Sequence, residues 1–166
     1  MEDRDIVINT GMPRLRLLDA VTLTDENGIA GSCLLSDAPP WLGIESLAQL
    51  GAFHVRFLTG FEKHVFLVKI KRCLLPRRET LHGRYRLAGR LLSRSSSAFS
   101  YDLEAWKGKE LEITGRFLYA AVDYDDTFRK ELLQDRYQGL FSCLTNATGK
   151  GSSREKKPDS SATPCK

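Results

Sequence analysis

Residues 38–60 restrict the fold more than any other part of the chain. Pro39 and Pro40 interrupt whatever precedes them, because each fixes φ and removes a backbone donor. From Trp41 onward the chain is apolar or small nearly all the way round a helix, through Ile44, Leu47, Ala48, Leu50, Gly51, Phe53, Val55 and Phe57. A helix of that kind is buried on most of its surface. Gly60 is placed to cap its C-terminus. The larger polar side chains in it are few: Glu45, Gln49, His54 and Arg56. Glu45 and Gln49 are four apart and therefore share a face.

The remaining segments supply what such a helix packs against. Residues 15–35 read as a hairpin, with Asn27-Gly28 expected to supply the positive φ angles of a tight turn. Four strand-like runs follow the helix, at residues 65–75, 84–93, 97–106 and 111–122. Lys107-Gly108-Lys109 is the turn between the last two. Residues 126–144 read as a short amphipathic helix with Thr127 as its N-cap. From Ala147 onward almost nothing is apolar, so residues 1–146 are expected to form one domain and 147–166 a disordered tail. A helix apolar on nearly every side needs a sheet that curls around it, and a twisted antiparallel sheet does so. The fold class is therefore α+β, in two layers.

Composition excludes several functions. A chain of 166 residues fits one domain, and 42% apolar content supports a real core. The net charge is +4, with basic residues gathered at Lys69, Lys71, Arg72, Arg77 and Arg78, then at Arg84, Arg86, Arg90 and Arg94. Such a cluster reads either as a solvated sheet face or as a surface that steers an anionic partner, an acidic carrier protein or a phosphate-bearing ligand. No nucleic-acid motif accompanies it, so nucleic acid is not an expected partner. Cys33, Cys73, Cys143 and Cys165 match neither a zinc knuckle nor a CxxC pair, and no metal or cofactor is expected. Cys33 and Cys73 lie in apolar runs and read as small core residues. The charged start, residues 1–5, has no apolar h-region, and no run reaches the ~18 apolar residues of a membrane span. A soluble, reducing, cytoplasmic setting is the expectation.

Glu45 is the residue with unexplained chemistry. The positive end of the helix dipole favours its ionised form, whereas burial favours the neutral one. Groups held between such effects are often catalytic, but a carboxylate in a first helical turn also serves simply as a cap. Spacing alone leaves both readings open.

The stretch Ala38-Pro39-Pro40-Trp41-Leu42-Gly43-Ile44-Glu45-Ser46-Leu47-Ala48-Gln49 resembles the central-helix motif of the 3-hydroxyacyl-[acyl-carrier-protein] dehydratases, in which a Pro/Gly loop leads into Glu-x-x-Ala-Gln. Leu17-Leu18-Asp19 with Val21 is similar to the first strand of that family, and residues 65–76 are similar to the strand and proline that follow its helix. The resemblance covers roughly residues 12–122 and implies a hotdog fold, in which an antiparallel sheet wraps a central helix, and an obligate dimer. It implies Glu45 as the catalytic carboxylate, with Gln49, Gly43, Trp41 and Pro40 as substrate-binding positions. The implied substrate is a 3-hydroxyacyl or acyl thioester carried by acyl carrier protein, in fatty-acid or polyketide-type biosynthesis.

The chain also departs from that pattern. Ser36-Asp37-Ala38-Pro39-Pro40-Trp41 stands where the family carries its acid/base histidine, and it contains none. It resembles a divergent branch in which that histidine is missing. Dehydration needs a base for the α-proton and an acid for the leaving hydroxyl. His54 is nine residues past Glu45 and points to the opposite side of the helix, so it reads as structural. His64 and His82 are expected to be solvated. Three readings follow: a dehydratase-like enzyme with half of its pair, an acyl thioesterase in which Glu45 activates water or attacks the thioester, or a non-catalytic acyl-carrier-binding partner subunit.

Overall fold

In the computed structural model of the chain, residues 17–150 are described. Six strands and two helices follow in the order β1 (Ala20–Thr24), β2 (Gly28–Ala38), α1 (Pro40–Leu58), β3 (His64–Leu74), β4 (Leu81–Arg94), β5 (Ala98–Lys107), β6 (Glu110–Val122) and α2 (Lys130–Asn146). A 3-10 turn, Ala147–Lys150, continues from α2 where the sequence leads one to expect a tail; residues 151–166 of that tail, like 1–16 of the expected domain, lie outside the described residues. The strands form one sheet in the order β1-β2-β4-β5-β6-β3, antiparallel at every step. The α+β class follows as expected, with α1 lying across one face of the sheet.

The core is the seam between α1 and that face. Leu47, Leu50 and Val55 of the helix are fully buried against Leu87, Leu103, Ile113 and Phe117 of the sheet. Each such side chain contributes about 1.5–3 kcal/mol by leaving water. Close approach needs a small residue at the crossing. A Cβ on Gly51 would stand 2.3 Å from the Tyr119 hydroxyl, which donates a hydrogen bond to the Ala48 carbonyl at 2.9 Å.

Three local details differ from the sequence expectation. The first turn, residues 25–27, is a hairpin, but neither Asn27 nor Gly28 is among the positive-φ residues. The Asp25 carboxylate holds it instead, accepting from the N–H groups of Asn27 at 2.7 Å and Gly28 at 3.0 Å. The second concerns the start of α2, which begins at Lys130 rather than at residue 126. Asp125 accepts from the N–H groups of Thr127 and Phe128, both at 2.8 Å, so Thr127 belongs to that turn and caps nothing. Thirdly, His64 is buried rather than solvated, stacked on Phe128 at 4.0 Å between centroids. Burial and the neighbouring Arg56 guanidinium hold its pKa below the usual histidine value.

The far end of α1 is closed by α2. Phe53 and Phe57 meet Phe141, and the Arg56 guanidinium lies 3.7 Å from the centre of the Tyr137 ring. Gly60 takes a left-handed φ of 60°, as expected of a helix stop, and Phe61 N–H returns to the Arg56 carbonyl at 2.7 Å.

Candidate functional site

The site residues are set by how α1 begins. Pro39 occupies the N-cap with extended backbone and Pro40 opens the helix, where a missing N–H costs nothing. Neither supplies a side-chain cap, and the first turn holds no acid. Glu45 is therefore not the N-terminal cap that its sequence position allowed. It lies beyond the first turn, half-buried, with Oε1 accepting from Gln49 Nε2 at 3.2 Å. Gln49 Oε1 in turn accepts the Leu17 N–H at 3.1 Å. Thus the amide of Gln49 links the entering chain to the carboxylate.

Trp41 is one turn before Glu45 on the same flank and is 48% exposed. Pro40 is half-buried beside it in sequence. Gly43 points elsewhere. A Cβ there would come 2.3 Å from Ile113 Cδ1 and 2.9 Å from Leu81 Cδ1, so the absence of a side chain lets the helix sit on the sheet. Of the five positions singled out, the structure brings Glu45 and Gln49 into contact, places Trp41 on their flank, and turns Gly43 toward the core.

No histidine joins them within the chain. His54 is fully buried, its Nδ1 2.7 Å from the Tyr101 hydroxyl and its Nε2 2.7 Å from the Asp25 carbonyl. A carbonyl only accepts, so Nε2 carries the proton and Nδ1 accepts from Tyr101. Burial lowers its pKa and keeps it neutral, the structural role that the spacing predicts. His82 is exposed, with Nδ1 3.3 Å from an Asp37 carboxylate oxygen. It alternates with the inward Leu81, so it is on the sheet face away from α1. Cys33 is equally unsuited as a nucleophile: burial pushes its thiol up to about 11.

One buried polar cluster was not visible in the sequence. Glu112 accepts from the Tyr85 hydroxyl and from Arg78 Nη2, both at 2.7 Å. The β5–β6 ladder pairs Trp106 with Leu111 and Ala105 with Ile113, so Glu112 is skipped and turned inward.

The comparisons bear on the architecture. No family model matches the chain, and no curated protein matches it in sequence. Solved structures do. A chain of the ApeI:P dehydratase heterocomplex from Xenorhabdus doucetiae superposes with a TM-score of 0.58 at 16% identity, over 74% of this chain and 91% of that one. A mutant of the thioesterase PA1618 from Pseudomonas aeruginosa gives 0.53 at 12% identity, over 62% and 80%. The thioesterase HI1161 from Haemophilus influenzae gives 0.53 at 10% identity, over 62% and 77%.

The fold is a hotdog. At these identities the likeness speaks for architecture alone. In this hotdog the sheet covers the side of α1 that carries Gly43, Leu47, Leu50 and His54. The flank with Trp41, Ile44, Glu45, Gln49 and Ala52 is left partly open. Among the described residues, no group other than Gln49 bonds the Glu45 carboxylate. A carboxylate has a second oxygen, which by its chemistry accepts from a water or takes up a proton.

Proposed function

We propose that this hotdog chain acts on or binds acyl thioesters carried by an acyl carrier protein, as a dimer, with Glu45 as the reacting carboxylate. The observation that carries the reading is the Glu45–Gln49 hydrogen bond on the open flank of α1. A carboxylate oriented by an amide on a half-buried flank suits proton abstraction next to a thioester carbonyl, or activation of a water. Gln49 is the positioning residue, and Trp41 with Pro40 lines the approach. Gly43 serves indirectly, by letting the start of α1 lie low on the sheet.

A dimer fits the exposed apolar strip on β3, where Phe66, Leu67 and Val68 sit on an edge strand. Such an edge has unpaired N–H and C=O groups that a second copy satisfies. Sedimentation at a mass near twice 18.7 kDa is the expected result, and a single-chain mass overturns it.

The acid–base pair of a dehydratase is incomplete in the protomer, since all three histidines are engaged or face elsewhere. Purified protein mixed with a 3-hydroxyacyl carrier thioester is therefore expected to release no enoyl product. Clear enoyl turnover sinks that expectation. The thioesterase reading needs no histidine, and thioesterases among the structural neighbours favour it as the second reading. Free thiol released from the same substrate selects it, and Glu45→Ala then lowers the rate by about 10²-fold or more. Binding without either product selects the non-catalytic partner subunit. A fold shared with one chain of a dehydratase heterocomplex fits that third role as well.

A further inference from the structure

The outer face of the sheet, opposite α1, carries a charge pattern that thioester chemistry on α1 does not use. Its outward residues form rows across the strands. One row runs Arg90, Asp102, Arg116, Lys71 over β4, β5, β6 and β3. The neighbouring row is low, with Ala88, Glu104 and Thr114 in register. Beyond it Arg86 pairs with Trp106, the guanidinium 5.2 Å from the ring centroid. A trench of about 410 Å³ results, lined by Ala88 and Thr114, by Arg72, Arg90 and Arg116, and by the carboxylates of Asp102 and Glu104 between them.

The rim is ordered before anything binds. Asp102 holds both arginines, Arg116 Nε at 2.9 Å and Arg90 Nη2 at 3.3 Å. Glu104 accepts the Trp106 N–H at 3.0 Å. Arg72 has a left-handed φ of 53° next to a register shift in β3, which sets it off the ladder at the trench. Lys69, Lys71, Arg72, Arg84, Arg86 and Arg116 are exposed, and so is Arg90. Asp102 and Glu104 lie among them, and Asp19 is 3.9 Å from Arg84.

We propose that this outer face is a docking site for a carboxylate-rich segment of an acidic protein, laid along the trench. Charge complementarity is the argument. Planar guanidinium groups held in place recognise carboxylates two bonds at a time, and positive potential speeds the encounter. A nucleic acid fits less well. The aromatic ring beside the trench, Trp106, has the Arg86 guanidinium over it and offers no free stacking platform. A second copy of this chain brings the same excess of positive charge and is repelled.

A fluorescent 20-residue poly-L-glutamate, followed by anisotropy against the full chain, tests the proposal. Binding is expected near 20 mM salt and is expected to weaken at about 150 mM, where screening shortens to ~8 Å. Arg72→Glu/Arg86→Glu, at two exposed positions, is expected to weaken it by about 10-fold or more. Arg129→Glu, before α2, is expected to change it by less than about 2-fold. The circular dichroism of each variant confirms the fold. Absence of binding at low salt, equal loss in Arg129→Glu, or tighter binding of a 20-residue oligothymidine overturns the proposal. None of these readouts involves a thioester, so failure of the reading of Glu45 leaves them unchanged.

Discussion

Gly51→Val is expected to destabilise the domain by about 3 kcal/mol or more, a large part of a typical total of ~5–15 kcal/mol. The cause is local. Any Cβ at position 51 lies 2.3 Å from the Tyr119 hydroxyl and 2.7 Å from its ring carbon, well inside contact distance. Tyr119 is 1% exposed and cannot step aside without opening the core. Its displacement also breaks the hydrogen bond to Ala48, and a buried hydroxyl without a partner costs about 1–3 kcal/mol. Better helix propensity returns less than about 1 kcal/mol. Gly51→Ala is milder, and its penalty is expected to shrink by about 1 kcal/mol in a Tyr119→Phe background, where the offending oxygen is gone. Urea unfolding of the four chains measures this, and strict additivity rules the contact out as the cause.

Arg78→Ala is expected to cost about 2–3 kcal/mol, an unusual amount for a residue on a loop. The pair is lopsided: Arg78 is 41% exposed, whereas the Glu112 side chain is 1% exposed. Removing the arginine leaves a carboxylate in the core with only the Tyr85 hydroxyl to hold it. The solvent exposure of Arg78 tempers the loss below the ~3–5 kcal/mol of a fully buried pair. Arg78→Lys keeps the charge but not the fork of donors, so its cost is expected to fall between wild type and alanine. A loss under about 0.5 kcal/mol for Arg78→Ala in urea unfolding demotes the contact to an ordinary surface pair.

The two cases illustrate which parts of the molecule are legible in its sequence. Helix α1 was plain, because apolar residues on every side admit only a wrapped helix, and the strands of β3 to β6 fall within a few residues of the expected runs. Gln49 beside Glu45 followed from a spacing of four and is in contact as expected. Glu112 was not legible. Strict alternation puts it on the outer face with Thr114 and Arg116, and only the skip in the ladder turns it inward. His64 failed for a related reason: its burial comes from Phe128, sixty-four residues later, and no local pattern reports that. Asn27-Gly28 marked the hairpin correctly but for the wrong cause. The turn is held by Asp25, and Gly28 is needed because a Cβ there would stand 2.3 Å from the Gly89 carbonyl oxygen on the next strand.

The contact between Leu17 and Gln49 gives the site a direction. A backbone N–H only donates, so the atom of Gln49 facing it has to be the oxygen. The amide nitrogen is then left to face Glu45, and the side chain has one workable orientation rather than two. A proton on the Glu45 oxygen nearest Gln49 would confront another donor, so that oxygen stays bare and any proton the carboxylate carries resides on its other oxygen. The polarity of a single peptide group at the entrance to the domain thus reaches, through one side chain, to the place where a proton can be held on Glu45.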